Sequence, residues 1–256
     1  TTVYFWGAQL EQRSSATAYT ATTSAPVVKY QPTLQTAASG AARFDHDPVT
    51  GESKGLLIEE ARTNLLTYSE DFSNSDWVVS QATRTANQMI SPDGTLTAAK
   101  LILNSGSTVS SSRAIYQNLT GITGVNTVSI YAKEGEVSVL RISGRSAGSV
   151  TLTGPNFDLS QGTFDSLGAA SAAKITDVGN GWYRCDATFD FLTGSADARA
   201  YYASSEATGD GFSGVYIWGA QVEAGSFATS YIATAGSTVT RAVDAAAITG
   251  SNFTDW

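Results

Sequence analysis

Apolar and polar residues alternate along much of the second half of the chain. This period of two is typical of half-buried strands. It is clearest in segments rich in β-branched and aromatic residues, at 126–135, 137–144, 149–159, 181–192, 197–205 and 213–223. Gly, Asn and Asp separate these segments, as expected for turns. The pattern predicts an all-β protein with a jelly-roll β-sandwich.

One segment departs from this alternation. Residues 54–66, KGLLIEEARTNLL, are the best helical candidate, but they fit a strand or an extended linker equally well. Prolines and turn signals in residues 31–63 predict an ordered connector there. A complete sandwich module is then expected over residues 64–242.

The chain contains nearly the same segment twice. Residues 3–30 and 215–242 align at one fixed offset without gaps, and half of the aligned positions are identical. Similarity at such a long offset indicates tandem modules. We therefore predict that residues 1–30 are the closing segment of an upstream module and that residues 243–256 begin a following one. An unpaired strand invites pairing with another chain, which predicts an assembly strand at Val3, Tyr4, Phe5 and Trp6.

Composition narrows the classes of partner. The net charge is -8, whereas phosphate binding needs clustered Lys and Arg, so nucleic acid and anionic membrane surfaces are not expected as partners. The sequence contains no run of about 18 apolar residues, so a membrane-spanning helix is not expected. Cys185, the one cysteine in the sequence, is expected to be a small buried residue.

Several motifs together resemble one protein family. The segments ARFDHDPVTGESKGLLIEEARTNLLTYSEDFSNSDW (42–77), FDLSQGTF (157–164), ITDVGNGWYRC (175–185) and 215–242 resemble parts of bacteriophage tail-fibre, tailspike and other virion proteins. The resemblance implies tandem jelly-roll modules of the carbohydrate-binding-module type on the virion surface. It implies host cell-surface polysaccharide and other virion subunits as partners, in a homo-oligomer that is often a trimer. Residues 240–256 resemble the start of a lectin-like module.

No catalytic constellation is recognisable in the sequence. A Ser-His-Asp triad would have to use His46, the one histidine, and no nucleophile-elbow motif accompanies it, so a turn residue is its expected role. A glycosidase needs two acids across a cleft. The sequence selects no such pair among its eligible carboxylates, which include Glu59, Glu60, Glu206, Asp210 and Glu223. We expect that the protein is not an enzyme.

The acidic residues in predicted turns favour a calcium-binding site over a catalytic site. If the chain has a cofactor, we expect a structural calcium ion, mainly because jelly-roll carbohydrate modules often hold one near the first strand. Calcium takes about six to eight oxygen ligands in relaxed geometry. The predicted ligands are Asp93, in a Gly-containing turn, with Glu70, Asp71 and Glu223. A second candidate set comprises Asp45, Asp47 and Glu52.

Aromatic residues are the candidates for a sugar-binding surface, because sugar rings stack on aromatic rings while polar groups fix the hydroxyls. Successive strand residues face opposite sides, so one residue of each pair, Trp182/Tyr183 and Tyr201/Tyr202, should point outward. Trp182 and Trp218 are expected in the core. The predicted carbohydrate-binding residues are Tyr201, Tyr202, Tyr183, Trp77, Arg141 and Arg199.

Two functional hypotheses follow, and they do not exclude one another. The first is a non-catalytic virion module that binds host surface carbohydrate. The second is a purely architectural assembly or spacer module of a virion fibre or capsid. Two observations distinguish them, namely which chain strand 3–11 pairs with and whether Tyr201 and Tyr202 are exposed. A glycan depolymerase is a weaker third hypothesis.

Overall fold

The computed structural model describes residues 32–106, 113–146, 150–191, 198–203 and 209–246, with the backbone alone for 198–203. These residues form strands and no helix. Accordingly, no helix able to cross a membrane is found among them. The predicted assembly strand, Val3 to Trp6, lies outside the described residues, as do residues 247–256 of the predicted following module.

Most strands of the described ranges belong to two antiparallel sheets. In spatial order, the front sheet contains β12 (Thr163–Phe164), β11 (Asn156–Asp158), β9 (Val139–Arg145), β15 (Ala198–Ala203), β7 (Ala114–Leu119) and β4 (Trp77–Ser80), with β10 (Thr151–Leu152) also beside β9. The back sheet contains β13 (Ala172–Gly179), β14 (Trp182–Phe191), β8 (Gly124–Lys133), β16 (Gly214–Ala224), β6 (Ala98–Leu103) and β5 (Ala82–Met89). The predicted all-β jelly-roll sandwich is confirmed.

Two short strand pairs complete the described structure. A hairpin joins β1 (Phe44–His46) to β2 (Ser53–Leu56), within the predicted connector. The second pair joins β3 (Arg62–Asn64) to β17 (Val239–Arg241), so the two ends of the sandwich region lie side by side. Residues 54–66 therefore contain two strands and an extended stretch, and the non-helical alternatives for this segment are confirmed.

The apolar core lies between the two sheets. Leu140, Ile142 and Phe157 of the front sheet are fully buried against back-sheet residues such as Ile130 and Phe189. The predicted burial of Cys185 is confirmed, and burial raises the pKa of its thiol. Trp182 and Trp218 are also buried, but they lie in a second cluster on the outer side of the back sheet.

The first segment of the sandwich is locked onto β16 by Asn64. The Asn64 amide nitrogen donates to the carbonyl oxygens of Ala220 (3.2 Å) and Ile232 (2.8 Å), and its oxygen accepts from the backbone amides of Leu66 and Val222. Every hydrogen-bonding position of this fully buried side chain is used, as the burial of an amide requires. These contacts tie β3 and β16 to the returning chain.

The outer face of the back sheet is covered by residues 225–234, here called the covering loop. Glu223 projects beneath it, where its carboxylate accepts from the Thr229 amide (2.9 Å), the Thr229 hydroxyl (2.6 Å) and the Gln221 side chain (2.6 Å). Gln221 in turn accepts from the Ile232 amide at 2.7 Å. The back sheet is thus buried on both faces along this loop.

Asp186 lies at the same outer face and is also largely buried. Burial raises its pKa to about 6, with Arg184 and Lys174 opposing the shift and Glu223 adding to it. The folded state therefore binds the proton more tightly than the unfolded chain, whose reference pKa is 3.8. The resulting stabilisation is complete below about pH 4 and is lost as the pH rises through about 6.

We predict that Asp186→Asn is about 2 kcal/mol more stable than the wild type at a pH of about 8, and equally stable at about 4, because the amide never acquires the buried charge. Urea unfolding followed by tryptophan fluorescence measures both values. Asp190→Asn, which removes an exposed carboxylate from the same strand, is the control and should change neither. A wild type as stable as Asp186→Asn at the higher pH would contradict the assignment.

Candidate functional site

The outward residues of the front sheet form a surface here called the open face. In β9, Leu140 and Ile142 point into the core, whereas Arg141 between them and Arg145 at the end of the strand are partly exposed. In β7, Tyr116 is partly exposed and Asn118 is exposed. The described part of the open face therefore combines guanidinium, phenol and amide groups on a rigid sheet.

Neighbouring side chains hold Arg141 in position. Its Nε donates to Asn156 Oδ1 at 2.7 Å, and Asn156 Nδ2 donates to Asp165 Oδ2 at 2.6 Å. Burial works against the charge of Asp165, but hydrogen bonds from Ser166 and Asn156 keep its pKa below the ordinary value. Burial, together with the nearby charge of Arg141, lowers the pKa of Arg113. The Arg141 guanidinium thus has a defined direction at the edge of the open face.

Three of the predicted carbohydrate-binding residues lie in β15, beside Arg141 and Arg145. The backbone register pairs Arg199 with Arg145, Tyr201 with Ser143, and Tyr202 with Ile142. Their side chains lie outside the described part of the structure. The structure nevertheless brings the backbone positions of Arg199, Tyr201 and Tyr202 into one strand pair with Arg141.

The other two predicted aromatic contacts lie elsewhere. Trp77 is 2% exposed in the core, where its indole N–H donates to the Tyr68 carbonyl oxygen at 2.7 Å. This corrects the expectation of a sugar platform, since a buried ring offers no face to a ligand. Tyr183 is partly exposed, but it belongs to the back sheet and packs against the core beside Gly162. Neither residue joins Arg141 on the open face.

The four predicted calcium ligands do not form one site. Glu223 is fully buried beneath the covering loop, and Asp71 accepts hydrogen bonds from Ser73 in its own turn. Glu70 accepts from the Tyr231 hydroxyl at 2.9 Å, and burial, with a smaller effect of Asp93, raises the pKa of Glu70. In the described ranges, no three His, Cys, Asp or Glu side chains are grouped so as to hold a metal ion. The residues present therefore do not fit the predicted calcium site or its alternative at Asp45, Asp47 and Glu52.

The candidate catalytic residues have separate surroundings. His46 is exposed on the hairpin, and Glu60 contacts Arg62 at 2.5 Å. Glu59 pairs with Arg43 at 2.8 Å and with Arg241 at 3.2 Å, so it ties the first and last segments of the described region together. Glu206 lies outside the described residues.

Phe212 is a surface feature that the sequence analysis missed. Its side chain is 67% exposed, and no large apolar side chain in the described ranges exceeds this value. It lies in the turn DGFSG, between β15 and β16. An aromatic residue flanked by turn-forming residues is the signal that could have identified it.

Comparisons with known proteins give distant matches. No family model and no curated protein matches the chain. The enzymatically active domain of bacteriophage CBA120 tailspike protein 4 is 18% identical, with a TM-score of 0.38, over 62% of this chain and 21% of that one. A structure described as "CBM4 structure and function" is 14% identical, with a TM-score of 0.36, over 64% of this chain and 94% of the other. We draw no functional conclusion from similarity at this distance.

Proposed function

We propose that this protein contributes a non-catalytic carbohydrate-binding module to a bacteriophage virion surface, with host cell-surface polysaccharide as its ligand. The observation that carries the proposal is the open face, where Arg141, Arg145, Tyr116 and Asn118 are partly or fully exposed on one sheet. The corresponding face of the back sheet is closed by the covering loop. The phage setting rests on the sequence motifs that resemble virion proteins.

The groups of the open face suit a sugar ligand. Guanidinium and amide groups donate hydrogen bonds to hydroxyl oxygens, and a phenol ring offers both an apolar surface and a polar tip. Arg199 and Tyr201 belong to the proposed site because their register positions adjoin Arg145 and Ser143. A sheet holds these groups at fixed spacing, which lowers the entropy lost on binding.

We predict that Arg141→Gln weakens glycan binding about tenfold, because a charged hydrogen-bond donor is replaced by a neutral and shorter one. A glycan array identifies the ligand, and calorimetry then compares the dissociation constants. Lys54→Gln is the matched control, since it removes one exposed charge from the hairpin. Wild-type protein that binds no host-derived glycan would contradict the proposal, as would equal losses in the two variants. Release of new reducing ends from the bound polysaccharide would instead indicate a depolymerase.

A second candidate function is assembly, alone or in addition to sugar binding. The repeat preserves residues that are buried or partly buried in the second copy and bonded there. They are Trp218, Gln221, Glu223, Thr229 and Tyr231, with counterparts Trp6, Gln9, Glu11, Thr17 and Tyr19. In the second copy, the Tyr231 hydroxyl lies 2.7 Å from the Ser69 hydroxyl, and Trp218 donates to Thr97 at 3.1 Å. We infer that residues 3–30 require a similar surface, supplied by another module of this kind.

The exposed hairpin is compatible with an assembly role. Phe44 and Leu56 pair directly across β1 and β2, and both side chains are exposed. A two-stranded hairpin is marginally stable by itself in water. A neighbouring virion subunit would cover these apolar residues.

Deletion of residues 1–30 tests the assembly hypothesis. We predict that the full chain is oligomeric and that the deletion shifts its mass to that of a monomer, because the repeated segment supplies the intermolecular contact. Light scattering after size-exclusion chromatography measures both masses. A Thr1→Ala substitution, which leaves the predicted assembly strand intact, controls for small changes near the terminus. A full chain that is monomeric before and after deletion would count against assembly through this segment.

A further inference from the structure

Phe212 lies at a corner of the sandwich where its exposure is fixed by the backbone. The Asp210 carboxylate accepts from the amides of Phe212 (2.8 Å) and Ser213 (2.6 Å) and from the Ser213 hydroxyl (2.6 Å). These hydrogen bonds lower the pKa of Asp210 to about 2, so the carboxylate is ionised near neutral pH. Gly211 adopts a φ of 81°, which favours glycine, and donates to the Leu103 carbonyl. The turn therefore presents the ring in a set position.

A charged pair adjoins one side of the Phe212 ring. Lys100 Nζ lies 4.7 Å from the ring centroid and 2.6 Å from Glu136 Oε2. The ammonium is thus held by a cation–π contact and an ion pair together. Hydrogen bonding to Lys100 is the largest influence that keeps the pKa of Glu136 below its ordinary value. Glu136 remains partly exposed, so its carboxylate can accept further hydrogen bonds beside the ring.

Two glycines allow the Glu136 loop to approach this corner. A Cβ at Gly135 would lie 2.3 Å from the Gly214 carbonyl oxygen, and a Cβ at Gly214 would lie 2.1 Å from the Leu101 carbonyl oxygen. Both distances are too short for a real side chain. Glu136 Oε2 also accepts from the Gly214 amide at 3.3 Å, which fixes the carboxylate against the start of β16.

The corner lies toward the same end of the sandwich as Arg141, but on the outer side of the back sheet, because Lys100 pairs with Tyr216, which packs on the outer cluster. The Val137 amide donates to the Gly214 carbonyl at 3.2 Å, and β9 begins two residues later at Val139. At roughly 3.3 Å per extended residue, Glu136 and Arg141 are separated by at most about 16 Å. A polysaccharide chain of a few sugar units that bends around this end of the sandwich can span that length.

We propose that Phe212, with Glu136 and Lys100, forms an outer subsite that stacks a neutral sugar ring of a polysaccharide chain, which passes from the open face around this end of the sandwich. The proposal rests on the proposed carbohydrate-binding function and extends it from a local contact to recognition along the chain. The ring supplies the apolar platform, and Glu136 accepts hydrogen bonds from hydroxyls at the edge of the sugar. The exposed aromatic ring beside a fixed ion pair matches the arrangement expected of a sugar-binding surface, which is an apolar platform flanked by a few polar groups.

Affinity gel electrophoresis in dextran, galactomannan and arabinoxylan tests the subsite. We predict that at least one of these neutral polymers retards the wild type, and that Phe212→Ala raises its dissociation constant about three- to tenfold. Phe212→Trp, which keeps and enlarges the platform, should retain binding, whereas Phe212→Leu, which keeps apolar bulk without a ring, should not. Phe227→Ala is the matched control, because Phe227 is also exposed and lies 5.2 Å from a cation, Arg62.

The outcomes separate the subsite from the proposed function. Loss in Arg141→Gln with no change in Phe212→Ala would overturn the subsite and leave the open face as the binding surface. Equal losses in Phe212→Ala and Phe227→Ala would also overturn the subsite, since both would then report a general effect of exposed phenylalanine. A wild type retarded by none of the three polymers would overturn the subsite for neutral sugars, while an acidic glycan bound on the array would still support the proposed function.

Discussion

The fully buried carboxylate of Glu223 is the constraint on which the arrangement of the module depends. A charge removed from water is tolerated only when it is hydrogen-bonded and paired. Gln221 and Thr229 supply its hydrogen bonds, and Arg62 Nε lies 3.9 Å away. Because Thr229 belongs to the covering loop, Glu223 keeps its two hydrogen bonds from Thr229 only while the loop lies on the back sheet. Glu223 thus links the covering loop to the closed surface of the sandwich.

This constraint makes the two sheets unequal. Below the covering loop, polar side chains bond to one another and to the loop, as where the hydroxyls of Thr127 and Thr188 lie 2.8 Å apart and Thr127 donates to the Gly225 carbonyl. Along the covering loop, the back sheet is therefore interior on both sides. In the middle of the described front-sheet strands, Arg141 and Tyr116 remain partly exposed. The proposed division of labour, with one sheet for stability and the other for ligand, follows from this burial.

The sequence predicted the fold better than it predicted the site, for an identifiable reason. Alternation located β8, β14 and β16 because one side of each strand is apolar, but the polar residues between are buried, not solvated. Glu223 was expected at a calcium site because the sequence indicated that it, too, is solvated. Its hydrogen-bond partner Thr229 is brought to it only by the folded loop. β5 was missed because its edge-strand sequence ATRTANQM contains few apolar residues. Phe212 was missed because it lies in a turn, where the alternation of strand residues gives no information.

Amide hydrogen exchange with and without a bound polysaccharide tests the division between the sheets most directly. The account predicts slower exchange on binding in β7, in β9 and in residues 209–213, with no change in the covering loop. Slower exchange confined to the covering loop, with β7 and β9 unaffected, would show that the ligand binds the back sheet. That result would contradict the central claim that the closed and open faces have different roles.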